Sequence, residues 1–181
     1  MNPRRPPPSP DACPRVQNRG PHGPHPEDRG HRRRLPPPWR APGRRNFHRR
    51  DYTLCEQRGK PLILAFYPGD DTPVCTAQLC SYSDGLAQLQ ATGAAVWGIS
   101  PQGLDSHEQF ARGRGLRMPL LSDQGRVVSK SFGITAPLIG LRRAVFILTA
   151  TGRLHWKHVT AVGATYPPAA TLTARLAALA A

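Results

Sequence analysis

Apolar and polar positions alternate along this chain in blocks whose periods predict strands and helices in turn. Leu62-Ile63-Leu64-Ala65-Phe66-Tyr67 is a continuous apolar run between Pro61 and Pro68, the pattern of a central parallel strand buried on both faces. Leu79, Tyr82, Leu86 and Leu89 then recur at spacings of three and four, which predicts one amphipathic helix running to Gly93. Residues 94–100 read as the next buried strand and Pro101-Gln102-Gly103 as a turn. Leu104, His107, Glu108, Phe110 and Ala111 predict a second helix, ended by Gly113 or Gly115. A short strand over 118–121 and a short helix over 124–132 follow. Residues 144–149 and 153–159 predict a β-hairpin turning at Ala150-Thr151-Gly152. Pro167 and Pro168 open a last helix with Leu172, Leu176 and Leu179 on one face. The expected fold class is α/β, a central mixed sheet flanked by helices.

The junction between the first strand and the first helix carries the candidate chemistry. Gly69, Asp70 and Asp71 supply turn residues, and Thr72 followed by Pro73 is a helix start: a hydroxyl at the N-cap, then a proline where the missing N–H is not needed. Cys75 therefore falls in the first helical turn, where free N–H groups and the positive end of the dipole favour an anion. A lone cysteine is more often a small buried hydrophobe. The Thr-Pro cap three residues upstream reverses that preference and makes Cys75 a candidate nucleophile. Asp70 and Asp71 read as turn residues, because paired carboxylates would oppose a thiolate.

Composition separates the first 50 residues from the rest. They hold 13 of the 21 prolines, 13 arginines and three acids (Asp11, Glu27, Asp28), a formal charge of +10, which leaves +4 of the total +14 for residues 51–181. With almost no aliphatic residues and no helical or strand period, such a segment cannot bury enough surface to offset chain entropy, so residues 1–50 are expected to be a disordered Pro/Arg-rich arm. Arg32-Arg33-Arg34 and Arg44-Arg45 could touch phosphates, but no groove-reading or stacking element accompanies them, and nucleic acid is not the expected partner. No apolar stretch of signal-peptide kind follows Arg4 and Arg5, and the prolines oppose the amphipathic helix of a transit peptide. The reading favoured for the arm is translation from an upstream start or a shifted frame. Residues 51–181 suit one domain. No apolar run approaches the 18 residues of a membrane span. Four cysteines are few for a secreted disulfide framework, so a cytoplasmic protein is expected, with Cys13 and Cys55 as incidental thiols. No cofactor is implied, and His107, His155 and His158 have no metal-ligand spacing to Cys75 or Cys80.

Pro68, Thr72 and Cys75 together form P-x-x-x-T-x-x-C, the signature of the peroxiredoxins, and Cys80 five residues on makes the chain resemble the bacterioferritin comigratory protein, or peroxiredoxin Q, subfamily. The resemblance runs from about Asp51 to the C-terminus. It departs at the front, where the family's Ala-Pro-x-Phe-x-Leu hairpin is reduced to Ala41-Pro42 and Phe47. What it implies is a thioredoxin-like fold and a thiol peroxidase in which Cys75 attacks hydrogen peroxide or an organic hydroperoxide, Cys80 resolves the sulfenic acid as a disulfide, and thioredoxin recycles it. Arg143-Ala144-Val145-Phe146 matches the family's R-x-x-F setting, so Arg143 is the expected charge-stabilising donor and its neighbour Arg142 a solvated charge. Pro68 would shield the thiolate from water. Thr72 would cap the helix and donate toward sulfur or peroxide, and Gln78 would support the arginine. A monomer or weak dimer is expected. The reading from another class is a redox sensor or tethered binding protein switched by a Cys75–Cys80 disulfide.

Overall fold

The computed structural model describes residues 51–137, 140–160 and 165–179, together with the backbone of Arg15–Val16. Leu62–Phe66 forms β3, Ala95–Ser100 β4, Leu120–Ser122 β5, Ala144–Leu148 β8 and Leu154–Val159 β9 of one five-stranded sheet, ordered β5-β4-β3-β8-β9. β3 lies at the centre, parallel to β4 and antiparallel to β8, so the sheet is mixed. Every residue of β3 is buried, as its unbroken apolar run requires.

Alternation along β3 divides the core in two. Ile63, Ala65 and Tyr67 face Leu79, Tyr82, Leu89, Phe110, Leu172 and Leu176. Leu62, Leu64 and Phe66 face Trp97, Leu121, Val128, Ile134 and Phe146. The first layer is built by α1 (Pro73–Asp84), α2 (Leu86–Ala91), α3 (Leu104–Arg114) and α5 (Ala169–Ala177); α4 (Val127–Ser131) lies in the second. Two-residue pairings complete the ladder set: β1 (Arg15–Val16) with β2 (Tyr52–Thr53), and β6 (Thr135–Ala136) with β7 (Gly140–Leu141).

The helix predicted to run to Gly93 is broken at Gly85, which separates α1 from α2. The reason is tertiary: a Cβ at Gly85 would stand 2.8 Å from Ala169 Cβ, so the start of α5 approaches the chain there more closely than any side chain allows. The helix over 104–114 does end at Gly115, whose φ of +63° closes it. The hairpin turns at Gly152, with φ +80°.

The arm expected to be disordered lies outside the described residues except for Arg15–Val16, whose pairing with Tyr52–Thr53 ties that point of it to the domain. Cys55 is disulfide-bonded, not the incidental thiol expected. It sits in the single helical turn Leu54–Gln57 directly after β2, beside the strand that reaches it from the arm. Cys13 is outside the described residues.

Candidate active site

β3 ends at Phe66, and the loop that follows leads into the start of α1, which packs on one face of the sheet. Thr72 is the N-cap with extended backbone (φ −76°, ψ 145°), Pro73 is the first helical residue, and the first helical bond runs from Thr76 N–H to the Thr72 carbonyl at 2.8 Å. The N–H groups of Val74 and Cys75 precede that bond and point out of the helix start, where they attract negative charge. The capping itself differs from the sequence-based expectation. Thr72 makes no side-chain cap bond; its hydroxyl instead donates to the Gly69 carbonyl at 3.2 Å, drawn there by the tight turn, and so is not aimed at the sulfur.

Cys75 is 1% exposed. Arg143, directly before β8, is brought beside it because β8 pairs with β3 in a register that sets Ala144 opposite Phe66. Its Nη2 stands 3.2 Å from Cys75 Sγ, and its Nη1 donates to Gln78 Oε1. Gln78 is fully buried and lies one turn beyond Cys75 on the same helix face. Gln78 Nε2 in turn meets the Tyr82 hydroxyl at 3.4 Å, which donates to the Pro167 carbonyl at 2.8 Å. Donation therefore runs from Arg143 through Gln78 and Tyr82 to the carbonyl before α5, holding the guanidinium fork in one orientation. Burial pushes the Tyr82 phenol well up, against the lowering effect of Gln78, so it remains a donor. The spacing of Tyr82 predicts a core residue and carries no mark of its polar tip, which the structure puts in this chain of bonds.

Cys80 lies on the same unbroken helix, half-buried, and both thiols are free. Burial, assisted by the carboxylate of Asp84 and opposed by Arg114, holds the Cys80 thiol above its ordinary value. Pro68 is exposed in the loop that follows β3. Arg142 is half-buried, its backbone N–H bonded to the Ile134 carbonyl, rather than a fully solvated charge.

Asp70 is more than a turn residue. Its side chain, 3% exposed, accepts hydrogen bonds from Tyr67 Oη (2.8 Å), Ser106 Oγ (2.6 Å) and His107 Nδ1 (2.8 Å). Burial raises the carboxyl pKa, but the bonds from His107 and Ser106 outweigh it and hold the group below its ordinary value. Its stabilising contribution is then complete above the unfolded value, about 4, and is lost as pH falls through the lower folded one. Urea unfolding of the protein and of Asp70→Asn should differ most above pH 5, and the difference should shrink toward pH 2. A constant difference would mean that the carboxylate's charge is immaterial. Asp71 is exposed with φ +54°, paired to Arg114 at 3.2 Å.

Among the described residues no group of three or more His, Cys, Asp or Glu is placed to hold a metal, and no helix is long and apolar enough to cross a membrane. A buried cysteine at a helix start, facing a buried arginine from the neighbouring antiparallel strand, agrees with the profile of the AhpC/TSA family, which matches residues 37–157. The chain belongs to the AhpC/TSA family. Among curated relatives it is 38% identical over 105 residues to a chloroplastic peroxiredoxin Q of Sedum lineare, covering 57% of this chain and 56% of that one. It is 39% identical over 114 residues to the chloroplastic peroxiredoxin Q of Arabidopsis thaliana, covering 56% and 53%. The chain thus spans about half the length of the curated relatives it matches. Among solved structures, the bacterioferritin comigratory protein of Xanthomonas campestris superposes with a TM-score of 0.67 at 26% identity, covering 72% of this chain and 87% of that one. The peroxidoxin BcpB of Mycobacterium tuberculosis does so with a TM-score of 0.62 at 26% identity, covering 73% and 86%. The family's thioredoxin-like fold is the one this chain adopts.

Proposed function

We propose that this chain is a thiol peroxidase of the peroxiredoxin Q kind, with Cys75 as the peroxidatic residue. The observation that carries the reading is the buried Arg143 guanidinium 3.2 Å from Cys75 Sγ at the first turn of α1. The thiolate sulfur attacks one peroxide oxygen in line with the O–O bond. That bond breaks, the sulfur is oxidised by two electrons to a sulfenic acid, and the other oxygen takes a proton and leaves as water or alcohol. Charge moves from sulfur to the departing oxygen during the step, and Arg143 with the N–H groups of Val74 and Cys75 are fixed donors for it. Gln78 holds the fork of Arg143, Thr72 fixes the turn through Gly69, and Pro68 forms the outer lip of the entrance. Alkyl hydroperoxides join hydrogen peroxide as substrates in this reading, since the Xanthomonas neighbour is described by its alkyl peroxide reduction activity.

Cys80 is the resolving residue in the same proposal. Its sulfur attacks the Cys75 sulfenic sulfur, an S–S bond forms, and the S–O bond breaks to release water. Residues five apart on a helix have Cα atoms roughly 8.6 Å apart, whereas a disulfide needs about 4.4–6.8 Å. The first turn and a half of α1 must therefore unwind. Unwinding also removes the burial that holds the Cys80 thiol up. Hydrogen exchange on both redox forms should show the amides of residues 75–86 losing protection on oxidation. Equal protection would exclude Cys80 as the partner.

In the same proposal a dithiol protein of the thioredoxin class reduces the disulfide, and the chain works in the cytoplasm as a monomer or weak dimer. Continuous consumption of peroxide with thioredoxin, thioredoxin reductase and NADPH tests the reading. An enzyme turns over many equivalents; a chain that stops after about one equivalent is a redox sensor instead.

A further inference from the structure

Asp70 is joined to its surroundings by more bonds than a loop residue needs. Besides its bonds from Tyr67, Ser106 and His107, its own N–H donates to Gln102 Oε1 at 2.6 Å, and Ser106 Oγ also reaches Gln102 Oε1 at 3.2 Å. Gln102 lies in the turn before α3, and Ser106 and His107 in its first turn. His107 Nδ1 lies within 3.1 Å of both Asp70 oxygens. The imidazole is 4% exposed, and among the described residues its Nε2 is buried without a hydrogen-bond partner; Nδ1, besides Asp70, has the Tyr67 hydroxyl at 3.4 Å, so every hydrogen bond of the ring is made at Nδ1. Asp70 stands two residues before the Thr72 cap and five before Cys75.

We propose that Asp70 and His107 are positioning residues for the peroxidase reaction: they latch the loop between β3 and α1 onto α3, and thereby set how fast oxidised Cys75 reaches Cys80. The proposal rests on the peroxidatic reading given above. Because the disulfide cannot form until the start of α1 unwinds, the loop at 69–72 must move with it and strain every bond made to Asp70. The latch therefore adds to the free energy of unwinding and lengthens the life of the sulfenic acid. During that life a second hydroperoxide can transfer an oxygen to the sulfenic sulfur, its O–O bond breaking to give a sulfinic acid and one further alcohol or water. A tighter latch favours this second oxidation; a looser one favours the disulfide.

Rapid quenching and mass spectrometry after one equivalent of hydrogen peroxide read the two steps separately in the full chain. In His107→Leu, which removes the Nδ1 donor, the ratio of the disulfide rate to the sulfenate rate should rise at least tenfold, and the sulfinic fraction under excess peroxide should fall. His107→Asn, whose amide nitrogen can take the place of Nδ1, should return both toward the unaltered values. Ser106→Ala removes one of the bonds to Asp70 together with the longer contact to Gln102, and should shift the ratio in the same direction by a smaller factor, which keeps the test open if His107→Leu does not fold. An unchanged ratio in Ser106→Ala and in any folded His107→Leu, or an Asn variant no closer to the unaltered chain than the Leu variant, overturns the latch. Absence of a Cys75 sulfenic acid in the unaltered chain would instead overturn the peroxidatic reading beneath it.

Discussion

Cys75→Ser should reduce peroxide consumption to the uncatalysed background while the fold is kept. Serine nearly matches cysteine in size, so the packing of this 1% exposed side chain against the core is little changed. What is lost is the sulfur. A serine hydroxyl beside a guanidinium remains a hydroxyl at neutral pH, and a thiolate is by far the stronger nucleophile toward an O–O bond. Circular dichroism and an unfolding curve close to those of the unaltered chain, together with no turnover, are the expected result. Retained turnover in a folded Cys75→Ser chain would remove the proposed mechanism, whichever other residue then carried the reaction.

Arg143→Ala is expected to slow the peroxide step by about 10²–10³, the usual cost of deleting one charge-stabilising donor from an active site. Two causes are combined in that number, and they can be separated. The guanidinium supplies positive charge 3.2 Å from Sγ, and through Gln78 it is also the end of the buried chain that starts at the Pro167 carbonyl. Deleting it leaves Gln78 Oε1 without this donor, at a cost to stability of about 1–3 kcal/mol. Arg143→Lys keeps the charge but cannot serve Gln78 and Cys75 together as a planar fork does, so it should recover part of the rate and little of the stability. Arg142→Ala should change the peroxide step little. A larger effect at Arg142 than at Arg143 would reverse the roles assigned to the two arginines.

Features legible in the sequence are those set by local signals. The unbroken apolar run of β3, the Thr72-Pro73 start of α1 and the spacing of Leu79, Tyr82, Leu86 and Leu89 each record a backbone period or a helix start; β3 and the start of α1 are found in place, and the four spaced residues share one buried core although the helix they predict is divided at Gly85. Gln78 came from the family resemblance alone, and the structure places it on α1 with its Oε1 accepting from Arg143. Contacts between distant segments left no such record. Asp70 and His107 are 37 residues apart and meet because parallel pairing of β3 with β4 aligns the loops that follow the two strands. The break at Gly85 depends on Ala169, and the diversion of the Thr72 hydroxyl depends on the Gly69 carbonyl coming round the turn. Cys55 is a similar case: its polar surroundings in sequence give no sign of the disulfide it makes.

Mass spectrometry of the chain after one equivalent of hydrogen peroxide decides whether Cys75 is the peroxidatic residue. A Cys75–Cys80 disulfide is expected in the unaltered chain and, in Cys80→Ser with a sulfenic-acid trap present, a stoichiometric adduct on Cys75. Peroxide consumed while Cys75 remains a free thiol, or an adduct found only on another residue, would contradict that assignment.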